Sequence, residues 1–222
     1  MDLGLKGRVA VITGASQGIG RATAESFAAE GCKVAICSRT PQSIEAVAAD
    51  IRKKYGVEVF TQALDVRDAG QVRNFIAEVA TKFDKIEICV ANAGGPPAKG
   101  FLATTQEDWQ KALDQNFLSA VYLAQQVIPH MQKNHWGRFI TLTSITTKQP
   151  VNDLVLSNAA RMAVVGLVKS LANEFGKDGI LVNNVAPGYT ATDRLKELAK
   201  RVLLPRTKAR MKHSTLGRWM LR

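Results

Sequence analysis

Short apolar runs rich in β-branched residues recur along the 222-residue chain, and longer amphipathic stretches separate them. The runs at 9–12, 33–38, 57–63, 86–91, 138–142 and 180–185 predict six strands. Several are apolar at consecutive positions, as in Val9-Ala10-Val11-Ile12, which is the pattern of strands covered on both faces. The stretches at 21–30, 42–55, 69–83, 106–134 and 153–175 predict helices. Within 69–83, Val72, Phe75, Ile76 and Val79 share one face. Within 106–134, Val121, Ala124, Gln125 and Ile128 form a stripe, and Pro129 predicts a kink. Alternating strand and helix predict a parallel sheet with right-handed crossovers, an α/β fold. The length suits one such domain, or at most two small ones, and no repeat, low-complexity segment or linker interrupts it.

The junction of the first strand and first helix carries candidate chemistry. Thr13-Gly14-Ala15-Ser16-Gln17-Gly18-Ile19-Gly20 spaces three glycines as G-x-x-x-G-x-G. Glycine lets backbone approach a bulky group. A helix N-terminus presents unpaired N–H groups and a positive dipole end, so it holds phosphate. A dinucleotide pyrophosphate is the expected ligand, and a tight turn without a ligand is the alternative. Arg39 lies 19 residues past Gly20. Dinucleotide enzymes place there an acid for the ribose 2′-hydroxyl, or an arginine for a 2′-phosphate. Ser38-Arg39 holds no acid, which favours NADP(H) over NAD(H); an ordinary surface arginine is the alternative. Thr40 and Pro41 predict an N-cap and first helical position.

Further motifs follow in order. Asp65-Val66 ends the third strand, and Asn92-Ala93-Gly94 ends the fourth. Asn116 sits in the long helix, Ser144 ends the fifth strand, and Pro187-Gly188 and Thr192 follow the sixth. With the glycine turn in front, residues 3 to about 195 resemble the short-chain dehydrogenase/reductases, closest to the 3-oxoacyl-carrier-protein reductase branch. The resemblance implies a Rossmann-type doubly wound sheet of order 3-2-1-4-5-6 with its cofactor at the carboxyl ends of the strands. It implies carbonyl/hydroxyl interconversion on a small molecule such as an acyl thioester, and a homodimer or homotetramer built through the long helix. The cofactor contacts it implies are Thr13, Gly14, Ser16, Gln17, Gly18, Ile19, Gly20, Ser38, Arg39, Asp65, Val66, Asn92, Ala93, Gly94, Arg161, Pro187, Gly188 and Thr192. Among them Asp65 belongs near the adenine and Thr192 at the nicotinamide amide. Thr192 is also a candidate N-cap.

The family's chemistry uses a Ser, a Tyr thirteen residues later, a Lys four residues beyond that, and an Asn in the long helix. Ser144 and Asn116 match. Ser157 and Arg161 stand where the Tyr and Lys belong. A serine hydroxyl is a far weaker acid than a phenol of pKa about 10. Its shorter reach also weakens any claim to general acid–base work. Arg161 stays charged and passes no proton, though its fork could hold ribose or phosphate. Three readings follow. The protein reduces carbonyls with altered proton supply, from Ser144, a water held by Asn116, or Tyr189. Alternatively it binds NADP(H) without the usual turnover, as a sensor or partner subunit. In the third, Ser157 and Arg161 are plain helix residues and the pocket runs another reaction.

Composition narrows the classes. The net charge of +11 suggests nucleic acid, but residues 194–222 hold ten Lys/Arg and one acid, giving +9. The remaining 20 bases and 18 acids give only +2, so the basicity belongs to a tail and nucleic acid is disfavoured. Residues 1–193 are expected to form the dinucleotide-binding domain with the active site, and 194–222 the remnant of a substrate-covering region. In that tail Leu216-Gly217-Arg218 resembles a turn of the family, whose last helix and seventh strand then look missing. That would leave strand six as a sheet edge, uncover Val182 and Val185, lower stability and disturb the oligomer. The N-terminus lacks a signal-peptide pattern, and no stretch reaches 18 apolar residues, so no membrane partner is expected. Cys32, Cys37 and Cys89 lack C-x-x-C spacing, which fits a reducing cytoplasm, and His130, His135 and His213 form no metal-ligand set.

Overall fold

The computed structural model describes residues 2–198. β1 (Val9–Thr13), β2 (Lys33–Ser38), β3 (Val59–Ala63), β4 (Ile88–Ala91), β5 (Gly137–Leu142) and β6 (Ile180–Val185) form one sheet of order β3-β2-β1-β4-β5-β6. Every pairing is parallel. The order reverses between β1 and β4, which opens a crevice at their carboxyl ends. The helices are α1 (Gly18–Ala29), α2 (Pro41–Tyr55), α3 (Ala69–Phe83), α4 (Gln106–Leu113), α5 (Ser119–Lys133), α6 (Val155–Phe175) and α7 (Asp193–Leu198).

All five residues of β1 are buried because its alternate side chains feed two cores. Val9 and Val11 join Phe75, Leu123, Phe139 and Val164 on one face. Ala10 and Ile12 join Ala24, Ile36, Ile44 and Val47 on the other. The α3 stripe of Val72, Phe75, Ile76 and Val79 is buried as its spacing predicts. Pro41 is the first residue of α2 and Thr40 its N-cap position, but the Thr40 side chain makes no capping bond.

Several boundaries differ from the sequence expectation. α1 starts at Gly18 and not at 21, because the glycines form its first turn. β4 starts two residues late, since Glu87 turns to the foot of β1, accepting from Arg8 Nη1 at 2.7 Å and Val9 N at 3.0 Å. β3 likewise starts at Val59 and not 57. α6 starts at Val155 and not 153, because Asp153 has φ +62°. The long helical run is α4, a π-turn at Asp114–Leu118, and α5. Its core stripe is Ala120, Leu123, Ala124, Val127, Ile128 and Met131. Gln125 is exposed and Val121 only half-buried, so the expected stripe was one residue out of phase. Pro129 sits inside α5 on its exposed side, where water can satisfy the carbonyl it leaves unpaired.

Residues 155–178 are long and apolar enough to cross a membrane, with mean hydropathy 1.3. Here α6 packs along β6 and gives Val164 and Val168 to the core, so it is a core helix. Val182 keeps its cover, contrary to expectation, whereas Val185 is exposed. α7 runs across the boundary expected at 193/194. The Leu216-Gly217-Arg218 turn, and the expectation that a last helix and seventh strand are missing, fall outside the described residues.

Candidate cofactor cleft and active site

The glycine turn is stapled to the end of β4. Thr13 Oγ1 donates to Asn92 O at 2.8 Å and accepts from Asn92 N at 3.0 Å. Asn92 Nδ2 donates to Thr13 O and Gly14 O at 3.2 and 3.1 Å. These contacts explain two of the glycines. A Cβ on Gly14, whose φ is +59°, would sit 2.9 Å from Asn92 O, and one on Gly20 would sit 2.3 Å from Gly14 O. No side chain caps α1 and no acid stands in its first turn. The uncapped turn opens on a cleft of about 560 Å³ and suits an anion there.

Gly14, Ser16, Gln17, Gly18, Ile19 and Gly20 line this cleft with Ser38, Arg39, Asp65, Val66, Asn92, Ala93 and Gly94. Ser144, Ser157, Arg161, Pro187, Gly188 and Thr192 complete the predicted set on its wall. Two predicted residues do not line it. Thr13 lies behind the turn in the staple described above. Asn116 is buried on the π-turn, where its Nδ2 donates to Ala112 O at 3.1 Å and its Oδ1 has no partner. Other lining residues include Arg67, Gln115, Thr143, Thr190 and Asp193, which sequence reading missed. Arg67 carried a usable signal, two residues after Asp65.

At the far end from the glycines, Ser144 N-caps a short 3-10 turn, its Oγ accepting from Thr146 N at 3.2 Å. Ser157 and Arg161 lie one helical turn apart on α6, and Arg161 Nε donates to Ser157 Oγ at 3.2 Å. Arg161 Nη1 donates to Leu142 O and Thr143 O, both at 3.0 Å. Arg161 is 9% exposed, and its guanidinium clamps the end of β5 just before Ser144. This arrangement can polarise a carbonyl with two hydroxyls near a fixed cation.

A neutral acid is harder to find. Tyr189 is 61% exposed and not on the cleft wall, Tyr122 packs against the core, and Tyr55 lies at the end of α2. All three tyrosines of the chain are thereby placed off the cleft wall, including the Tyr189 considered as a proton source. Two carboxyls line the cleft. The Arg67 guanidinium holds Asp65 below the usual carboxylate range, and Lys196 does the same to Asp193. Both are therefore ionised near neutral pH and donate no proton. Thr192 Oγ1 accepts from Leu195 N at 3.3 Å, so it caps α7 while lining the cleft. Among the described residues no group of three His, Cys, Asp or Glu could hold a metal.

Comparison with known proteins agrees with this architecture. The family model "short chain dehydrogenase" matches residues 8–202. The chain is 32% identical over 202 residues to the 3-oxoacyl-(acyl-carrier-protein) reductase of Aquifex aeolicus, covering 91% of this chain and 82% of the relative. It is 35% identical over 195 residues to the Synechocystis enzyme of that name, covering 87% and 78%. Among solved structures, Gluconobacter frateurii L-sorbose reductase with NADPH and L-sorbose superposes at TM-score 0.86 with 34% identity, covering 91% of this chain and 78% of that one. A 7α-hydroxysteroid dehydrogenase with NADH superposes at 0.84 with 31% identity, covering 87% and 75%. By fold, cleft and sequence, the chain belongs to the short-chain dehydrogenase/reductase family of nicotinamide-dependent oxidoreductases.

Proposed function

We propose that the protein is an NADP(H)-dependent oxidoreductase that interconverts a carbonyl and a hydroxyl on a small molecule of the 3-oxoacyl thioester type. The observation that carries this reading is a single cleft joining an uncapped glycine-rich helix start, Arg39, and the Ser144/Ser157 hydroxyls. The residues fit the cofactor. Gly14 and Gly20 leave no Cβ over the turn, and the first N–H groups of α1 would take the pyrophosphate. Among the described residues Arg39 makes no hydrogen bond or ion pair, so its fork is available to a 2′-phosphate; NADPH in the sorbose reductase is in keeping. When bound, the nicotinamide supplies or accepts hydride. Ser144 Oγ accepts from Thr146 N, which leaves its own proton to point at a substrate oxygen. Ser157 accepts from Arg161 Nε and can likewise direct its proton into the cleft. Arg161 keeps positive charge beside the oxygen that gains electron density in reduction.

A second reading is favoured by the same pair. Ser157 and Arg161 offer no phenol and no titrating amine, so the chain could bind NADP(H) and turn over slowly or not at all, as a sensor or partner subunit. A homodimer or homotetramer accords with the family, and three free, buried thiols accord with a cytoplasmic location. Fluorescence titration with NADPH and with NADH, then turnover on an acetoacetyl thioester, separates these readings. Tight NADPH binding with turnover supports the first, and tight binding alone supports the second. No binding of either nucleotide would sink both.

A further inference from the structure

We infer that Arg67, bracketed by Asp65, is a second arginine of the cofactor's 2′-phosphate seat and shares with Arg39 the selection of a phosphorylated dinucleotide. The inference rests on the cofactor reading above.

Arg67 follows β3, whose Ala63 pairs with Ser38 at the end of β2, and it lines the same cleft as Ser38, Arg39, Thr40 and Ser43. Its Nε donates to Asp65 Oδ1 and Oδ2 at 3.0 and 2.9 Å, and its Nη2 also donates to Oδ2. Its backbone N donates to Oδ1 at 3.0 Å. An ionised carboxylate has about four lone-pair sites, so these four bonds leave Asp65 little capacity for another donor. Asp65 therefore holds the Arg67 guanidinium in place. The guanidinium keeps its Nη1 donors, and its plane is set by the bidentate pair.

The charges agree with this role. Arg39 also lowers the Asp65 pKa, though less than Arg67 does, so both arginines act on one acid. Arg39, Arg67 and Asp65 sum to one positive charge, and Asp114, a weaker influence on Arg67, brings the sum with it to zero. A 2′-phosphate carries nearly two negative charges, whereas a bare 2′-hydroxyl carries none. The seat would therefore discriminate by the fork geometry and local charge of its two guanidinium groups.

The test uses full-length protein and four probes. NADPH and NADH differ in the phosphate, and 2′,5′-ADP and 5′-AMP isolate the adenosine end. Isothermal titration is run on wild type, Arg39→Ala, Arg67→Ala, Arg67→Lys and the double alanine variant. Thermal melts identify any variant that fails to fold. A lost charged hydrogen bond corresponds to roughly a tenfold loss or more. Arg67→Ala is expected to weaken NADPH and 2′,5′-ADP by about that factor while NADH and 5′-AMP change less than about threefold. Arg67→Lys should recover part of the loss, and the double variant should lose nearly all discrimination. If Arg39→Ala alone removes the preference and Arg67→Ala changes nothing, the inference fails and the cofactor reading stands. Equal weakening of all four probes would make Arg67 an adenine-stacking residue and overturn the seat. A wild type without preference for NADPH would sink the cofactor reading and this inference together.

Discussion

At position 157 the chain has a hydroxyl whose proton is held far more tightly than a phenol's, and at 161 a cation that does not titrate. The two are bonded to one another and to the end of β5, which makes them a structural unit as well as a cleft wall. Two outcomes follow from that geometry. Replacing Arg161 by Met leaves Leu142 O and Thr143 O without this donor inside a buried site. Bonds from a charged group contribute about 1.5–3 kcal/mol, so urea unfolding should show a loss of about 2–3 kcal/mol. Restoring the family's pair with Ser157→Tyr and Arg161→Lys should raise turnover on the acetoacetyl thioester by about a hundredfold, the lower range of general acid catalysis. The rate profile should also gain an ionisation that the wild type lacks. Unchanged turnover in a variant that still binds NADPH would mean that proton supply is not what limits the wild type. Counting thirteen residues from Ser144 was enough to find Ser157 in the sequence. The carbonyl partners of Arg161 were not legible, because they come from a strand end brought close only by tertiary packing.

The elements were legible where burial dictated them. Six strands were identifiable, several of them from consecutive apolar residues, because helices cover both faces of most of the sheet. The start of α1 was misplaced because Gly18 and Gly20 look like turn residues until Thr192 is seen beside the first and Gly14 O and Asn92 beside the second. The phase of α5 was misjudged because a π-turn and a polar Gln125 sit among its apolar positions. Asn116 shares that π-turn and has an unpaired buried Oδ1, a feature no periodicity announces. α4 carries a testable electrostatic device. Thr105 and Asp108 form a capping box, and Lys99 bonds the same carboxylate. Lys99 first, then the Thr105 backbone N–H, lower the Asp108 pKa to about 2. A carboxyl with a depressed folded pKa stabilises the protein above its unfolded pKa and loses that effect as pH falls through the folded value. Asp108→Asn should therefore melt below wild type at pH 6, with the gap closing between about pH 4 and pH 2. A gap that stays constant to pH 2 would assign the loss to packing and not to charge.

Over the whole molecule, the sheet is well covered except along β6. Ile180 and Val182 lie under α6, whereas Leu181 is 49% exposed and Val185 48%. They point to the other face of the strand, beyond the two cores that β1 divides. Within the described residues β6 is also the last strand of the order. Sheet edges with apolar side chains pair or aggregate unless charge or another element covers them. Of the two residues expected to lose cover, Val185 is exposed and Val182 is not, since α6 covers the inward face. The expected result is that the wild type self-associates through β6. Charge at both positions, Leu181→Lys with Val185→Lys, should shift sedimentation velocity profiles toward the smaller species at equal protein concentration. Both side chains are half in solvent, so the melting temperature should change little, as for most surface substitutions. If the sedimentation profile is unchanged while the variant stays folded, the association runs through another face, and α5 and α6 become the elements to charge next.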